Sequence, residues 1–265
     1  MTTTRSLLRR LAVGFASAAI LSASASAAEI TVVSSGGFAA AYRQLAPQFE
    51  SKTGDKLVTE WGPSMGTTKD AVPTRLARGE AIDVLIMVGY ALDDLVKQGK
   101  VVPGSTVDLA RSNIGVVVKA GAPRPDIGTV AALKQTLLDA KSIAYSDSAS
   151  GVYVGGEMFR RLGIADQMAG KARMIPATPV GEIVARGEAE IGFQQISELK
   201  PIKGIDLVGP LPPAVQQVTI FSAGIVAGSQ QPEAAKALIA YLASPAAASA
   251  VTASGMEPMT VGPSR

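Results

Sequence analysis

A five-residue segment, Ala77-Arg78-Gly79-Glu80-Ala81, returns letter for letter as Ala185-Arg186-Gly187-Glu188-Ala189. Apolar residues at helical spacing precede each copy (Val72 and Leu76; Val180, Ile183 and Val184), and a short β-rich run follows each (Val84-Leu85-Ile86-Met87; Ile191-Gly192-Phe193). A glycine just past an amphipathic helix supplies its left-handed stop, so each setting reads as helix, stop, strand. A chance match of a common surface motif is the competing reading. If the repeat is structural, the chain holds two similar lobes, and the cleft between them is where function belongs.

The remaining elements alternate in the same way. Strands are expected at 29–33, 56–61, 83–88 and 114–119, with helices at 38–52, before the first pentapeptide, and at 92–98. After the break Gly121-Ala122-Pro123-Arg124-Pro125 a second run follows: helix 130–140, strand 142–145, helix 152–162, strand 172–175, helix 179–186 and strand 190–193. A strand at 218–226 returns the chain, and helices at 232–242 and 245–254 finish it, with 260–265 a loose tail. Alternation of this kind predicts α/β layers around a mainly parallel sheet. The order predicts a bilobal binding fold with two crossovers: lobe I over 29–116 and 217–265, lobe II over 117–216. A single large α/β domain is the alternative.

The first residues read as a leader rather than as fold. Arg5, Arg9 and Arg10 precede an apolar core, Leu11 to Leu21, and small-residue cleavage patterns end near Ala28. A signal peptide over 1–28 and export to the periplasm are the expectations, with no membrane insertion after cleavage. Those three arginines also account for the formal net charge of +3. Beyond the leader the charge balances, so the pI of about 9.1 argues for no nucleic-acid partner. The chain contains no Cys and no His, which removes Cys/His zinc sites, Ser-His-Asp triads and thiol nucleophiles. No EF-hand-like spacing of acids is present either, and neither a metal nor another cofactor is expected. No sequence signal marks an oligomer interface, and a monomer is the expectation.

In open α/β sheets ligands bind beyond the carboxyl ends of strands. Five loops meet that description: Ser34-Ser35-Gly36-Gly37, Gly62 to Thr68, Val88-Gly89-Tyr90, Ser146 to Tyr153, and Gln194-Gln195. Ser, Thr, Gly and Gln dominate them. Glycines let backbone N–H groups approach an anion, helix N-termini favour negative charge, and hydroxyls donate. The candidate ligand contacts are Ser34, Ser35, Gly36, Ser64, Met65, Gly66, Thr67, Arg75, Ser148, Ser150, Gly151, Tyr153, Gln194 and Gln195. For any single loop, an ordinary N-cap or turn is the simpler reading. Lys69 and Arg75, placed in the helix after the second loop, either pair with ligand carboxylates or lie on a solvated face. Asp147 reads as a turn residue before a catalytic acid, Tyr153 closes on ligand or packs, and Trp61 reads as core. A small anion, carboxylate or oxyanion, is the expected ligand.

Several of these segments carry a resemblance. The leader, the Ser34-Ser35 turn, Phe49-Glu50-Ser51-Lys52-Thr53-Gly54, the Ser64 loop, the run from Ala77 to Val88 and the helix ending Arg161-Leu162-Gly163 resemble the periplasmic molybdate-binding proteins. The likeness implies a type II periplasmic-binding-protein fold, hinge closure on a small anion, delivery to an ABC permease, and anion contacts at Ser35, Ser64 and Tyr153. Departures lie at Ser35-Gly36-Gly37, at Ser64-Met65-Gly66-Thr67-Thr68 and at Gln194-Gln195, where that family has Tyr. These departures make a carboxylate rather than molybdate the expected ligand of a binding protein. As the alternative to a plain binder, the combination Ser34–Phe38, Tyr145–Gly151 and Gly192–Glu198 is similar to a branch of exported bacterial aconitate isomerases. That likeness implies a tricarboxylate ligand and a 1,3-allylic proton shift, for which Lys69, Tyr153, Asp147 and Glu198 are the available proton carriers.

Overall fold

The computed structural model describes residues 27–259. The expected leader, apart from its last two residues, and the expected tail at 260–265 lie outside the described residues. The first alternating run gives β1 (Glu29–Ser34), α1 (Gly36–Thr53), β2 (Lys56–Trp61), α2 (Val72–Ala77), β3 (Val84–Val88) and α3 (Gly89–Lys97). β4 (Val107–Ser112) then leads through Asn113 into β5 (Ile114–Lys119). The second run comprises α4 (Val130–Asp139), β6 (Ile143–Ser146), α5 (Ala149–Tyr153), α6 (Phe159–Arg161), α7 (Ala165–Met168), β7 (Ala172–Ile175), α8 (Val180–Ala185), β8 (Ile191–Gln195), α9 (Ile196–Leu199) and β9 (Ile205–Pro210). β10 (Thr219–Ile225), α10 (Pro232–Leu242), α11 (Ala248–Ala253) and β11 (Glu257–Pro258) follow.

Two sheets result, ordered β11-β4-β10-β3-β1-β2 and β7-β6-β8-β5-β9. Without β11 the first order, reversed, is β2-β1-β3-β10-β4, and it matches the second position by position. The pairing senses match too. β1 runs parallel to β2 and β3 as β6 does to β7 and β8, whereas β10 is antiparallel to β3 and β4 as β5 is to β8 and β9. The expected mainly parallel sheet is therefore corrected to two mixed sheets. The antiparallel strand in each arrives from the other sheet by a crossover, and such a strand is free of the parallel βαβ constraint. The chain changes sheet between Ser112 and Ile114 and again between Pro210 and Thr219.

Alternating side chains cover both faces of each sheet. On the first, Ile30, Val32, Ile86 and Val88 pack under α1, α10 and α11, while Val33, Leu85 and Met87 pack under Val72 of α2 and Leu92 and Leu95 of α3. On the second, Val116, Ile143 and Phe193 meet Leu133, Leu137, Met158 and Phe159, and Val117 and Ala144 meet Val180, Ile183 and Val184 of α8. The described chain thus builds two helix–sheet–helix sandwiches without a disulfide.

The repeated pentapeptides occupy equivalent places. Gly79 (φ 72°) stops α2 and Gly187 (φ 79°) stops α8, both in the left-handed region that glycine tolerates. In each copy the arginine pairs with the glutamate two residues on, Arg78 with Glu80 and Arg186 with Glu188. Each copy then launches the third strand of its sheet order, β3 or β8.

Three strands escape the sequence patterns: β4, β9 and the short β11. β4 carries Asp108 and Arg111, and β9 carries Asp206, Gly209 and Pro210, residue types that strands disfavour. The helix expected over 152–162 begins earlier, at Ala149, and Val154–Met158 within it is wound as a π-helix. Gly155 in that segment lies against the Tyr145 ring, where a Cβ would come within 2.8 Å. No single helix among the described residues is long and apolar enough to cross a membrane.

Candidate functional site

A cavity of about 330 Å³ lies between the two sheets, within the range of small-ligand sites. Its walls are the carboxyl ends of β1, β2, β3, β6 and β8 with the loops that follow them, and Phe221 of the crossing strand β10. Strand ends of both sandwiches converge here because each sheet presents the same edge to the crossovers. Cavities at this position follow the switch-point rule for α/β sheets.

Ser35 and the N-terminus of α1 form the first wall. Ser35 occupies the N-cap position but its hydroxyl makes no cap bond, and Oγ is buried without a hydrogen-bond partner. Gly37 permits close packing over β10, since a Cβ there would fall 2.0 Å from Phe221 Cζ. The free N–H groups of an 18-residue helix therefore open onto the cavity beside an unsatisfied hydroxyl, an arrangement that favours an anion. Ser64 adds a hydroxyl that accepts from the Val88 N–H at 3.1 Å and keeps its own proton to donate.

Arg75 shapes this wall from behind. Its guanidinium donates to the carbonyls of Asp70 (3.0 Å) and Trp61 (3.3 Å), and it pairs with Glu80 at 2.8 Å and with Glu60 and Asp70 at 3.5 Å. Both ends of the Gly62–Ala71 loop are thereby held together. Gly62 makes the pinch possible, because a Cβ there would sit 1.9 Å from the Asp70 carbonyl oxygen.

The opposite wall carries Ser146 and Ser148, whose hydroxyls lie 2.8 Å apart, backed by Ser150 at 3.1 Å from Ser146. Asp147 accepts from the Ala177 N–H at 3.1 Å. That bond ties the loop after β6 to the loop after β7 and holds Ala177 at φ 54°, the one non-glycine positive φ among the described residues. Gln194 accepts from the Val180 N–H at 2.9 Å, fixing the start of α8. Gln195 donates to Thr219 Oγ1 at 2.8 Å, joining β8 to the crossing strand, and its Oε1 is buried without a partner.

Glu198 lies at the third position of α9 and reaches across the cleft. A Cβ built on Gly36 would come within 2.5 Å of its Oε1, so this carboxyl of the second sandwich rests on the helix N-terminus of the first. Burial pushes it up to about 7. The Gln194 amide draws it back, the charge of Asp147 raises it, and the Gln195 N–H lowers it. The acids lining the cavity are Asp70, Asp147 and Glu198, and among the described residues no lysine or arginine lines it. Among the described residues no three acidic groups converge to hold a metal ion.

Of the expected contacts, Ser35, Gly36, Ser64, Met65, Ser148, Gln194 and Gln195 line the cavity, as does Asp147. The others do not. Ser34 is buried behind Ser35, and Gly66 and Thr67 lie outward in the exposed bend. Ser150 is buried behind Ser146, and Gly151 packs on the Ser146 backbone. Arg75 is engaged by carboxylates of its own lobe and does not line the cavity. Lys69 stands in an exposed turn before α2 rather than in the helix. Tyr153 turns into the core of its own sandwich: its hydroxyl donates to the Val215 carbonyl at 2.7 Å and accepts from Arg161 at 3.3 Å. Burial raises its phenol above the ordinary value, and it does not line the cavity. Trp61, read as core, is partly buried and lines the cavity.

Sequence reasoning passed over Asp70, Phe221 and the segment Ala177-Thr178-Pro179. The last had a usable signal, since Pro176-Ala177-Thr178-Pro179 follows a strand and precedes a helix, the criterion that selected the other loops.

This fold is that of the solute-binding proteins. The chain belongs to the bacterial extracellular solute-binding protein family, whose model matches residues 30–257. It is 53% identical over 234 residues to the aconitate isomerase of a Pseudomonas species, covering 88% of this chain and 89% of that one. It is 28% identical over 258 residues to the molybdate-binding protein ModA of Azotobacter vinelandii, covering 94% and 97%. The solved structure of the periplasmic molybdate-binding protein from A. vinelandii matches with a TM-score of 0.68 at 23% identity, over 89% of this chain and 100% of that one. The fold is thus a two-lobed type II periplasmic-binding-protein fold.

Proposed function

We propose that this protein is an exported isomerase acting on a tricarboxylate, an aconitate isomerase that interconverts cis- and trans-aconitate by a 1,3-allylic proton shift. One observation carries the reading. Two clusters of neutral donors, Ser35 with the α1 N-terminus and Ser64 on one wall, Ser146 with Ser148 on the other, face a single cavity of about 330 Å³. At about 30 Å³ of liquid volume per water, that is room for roughly ten waters, several times what a tetrahedral oxyanion occupies. A ligand with carboxylates at separate ends uses both clusters. Neutral hydroxyl and N–H donors hold such groups once the closed cleft excludes water. The 53% identical aconitate isomerase supports the same substrate.

Within this reading the lobes divide where the chain changes sheet, and hinge closure about Asn113 and the 211–218 connection brings the walls together. The family and the sequence of the leader support a place outside the cytoplasm. A permease partner belongs to the alternative, in which the cleft binds a carboxylate and leaves it unchanged. Incubating the purified protein with catalytic excess of cis-aconitate and separating products by chromatography tests the proposal. Accumulation of trans-aconitate to equilibrium is expected. Unchanged substrate, together with tight molybdate binding, would sink it.

A further inference from the structure

We infer that Glu198 is the group that carries the proton, taking it from one end of the allylic system and returning it to the other. The inference rests on the isomerase reading and deepens it.

Geometry selects Glu198 from the four acid–base candidates. Tyr153 has its hydroxyl proton committed to the Val215 carbonyl inside the core, and Lys69 does not line the cavity. Asp147 lines it, but its carboxylate is held by the Ala177 N–H, and moving it releases the strained Ala177 backbone. Glu198 lines the cavity with Oε1 at the mouth of α1, beside Gly36 and Ser35, where one carboxylate of the substrate is expected. The carbon next to that carboxylate is the acidic one.

The step balances without a co-reactant. Glu198, as carboxylate, removes a proton from the methylene carbon: the C–H bond breaks, an O–H bond forms, and the electron pair spreads over the allylic carbons and the adjoining carboxylate. That developing charge faces the α1 N–H groups and the unpartnered Ser35 hydroxyl, which stabilise it where it forms. The O–H bond then breaks as the proton is delivered to the former vinylic carbon, and the double bond settles one position along. The conformation that the methylene arm holds when its proton leaves sets the new double bond cis or trans. The two termini of an allyl unit are spaced much as the two oxygens of one carboxyl, so a single residue serves both ends.

The surroundings keep Glu198 near balance between its forms. The other acids lining the cavity are Asp147, from the loop after β6 of the same sandwich, and Asp70, from the loop before α2 of the other. β10 presents Phe221 to the cavity, and the start of α1 lines it with Gly36 and Gly37. With its carboxyl near 7, both base and acid forms are available at neutral pH, which suits a group that must take and give back a proton.

The experiment compares wild type, Glu198→Gln and Glu198→Ala for turnover of cis-aconitate, deuterium uptake from D2O, and trans-aconitate binding by calorimetry. Glu198→Gln is expected to lose about 10²–10⁴-fold in kcat and in deuterium uptake, while binding trans-aconitate within a few-fold of wild type. Glu198→Ala is expected to regain turnover on addition of formate, a readout that a merely structural role does not move. In wild type kcat/KM should fall as pH drops below about 7, and this limb should be absent in the residual activity of Glu198→Gln. Turnover by Glu198→Gln within tenfold of wild type overturns the assignment alone. No conversion by wild type overturns the isomerase reading and the assignment with it.

Discussion

Ser35 shows how a common residue acquires a role from its position. A buried hydroxyl without a partner costs about 1–3 kcal/mol, and Ser35 is only 3% exposed. Ser35→Ala should therefore leave the melting temperature of the free protein unchanged or slightly raised, yet weaken tricarboxylate binding roughly tenfold, about 1.4 kcal/mol; calorimetry on both states checks this. Glu198 adds a pH signature. Its folded value of about 7 lies above the ordinary 4.5, so folding favours its protonated form. The stability this contributes is complete below pH 4.5 and is lost as pH rises through 7. Glu198→Gln, which cannot ionise, should then melt a few degrees above wild type at pH 8 and at the same temperature near pH 4. A constant offset at both pH values would contradict the burial argument. The place of Ser35 at the cavity was legible in the sequence; the raised carboxyl of Glu198 was not, because it arises from burial and from Asp147, which is distant in sequence.

The loop between β2 and α2 is an element whose shape depends on one side chain. Arg75 bonds the carbonyls at both its ends while neutralising Glu60, Asp70 and Glu80. Arg75→Leu removes those bonds and leaves the acids facing one another. It should destabilise the free protein by about 2–3 kcal/mol, less than a fully buried pair because Glu60 and Asp70 are half in solvent. It should also raise KM by more than it lowers kcat, since Ser64 is misplaced but Glu198 is not; steady-state kinetics beside a denaturant melt separate the effects. The residue pattern placed Arg75 near the site but not its direction. Whether a guanidinium on a short helix turns to the cleft or to its own lobe depends on where Glu60 and Glu80 arrive, and only β2 and the stop after α2 bring them there. The Arg78–Glu80 and Arg186–Glu188 pairs are exposed and add little.

Two sandwiches of matching strand order, linked by two crossovers, can move as bodies while each core stays intact. Gln195 and Thr219 are bonded at 2.8 Å where β8 meets β10, beside the proposed hinge. A ligand that bridges both walls should reduce the radius of gyration in solution scattering. At one hundred times its Kd it should stabilise the protein by about 2.7 kcal/mol, a rise of roughly 5–10 °C in melting temperature. No change in dimensions on saturation with trans-aconitate would count against hinge closure.

Strand and helix alternation, the glycine stops and the serine- and glycine-rich strand ends are local, and they were readable because propensity and periodicity act over a few residues. They were enough to predict an α/β binding fold with two crossovers. The mixed sense of each sheet, the strands β4 and β9, and the inward turn of Tyr153 were not, since each is settled by neighbours far along the chain. The repeated Ala-Arg-Gly-Glu-Ala belongs to both accounts. Its letters dictate a stop and a strand, but the packing of two sheets places Val88 and Gln194-Gln195 on facing walls. Glu198 joins the cleft for the same reason: burial and the charge of Asp147 act through space, and sequence spacing carries no record of them.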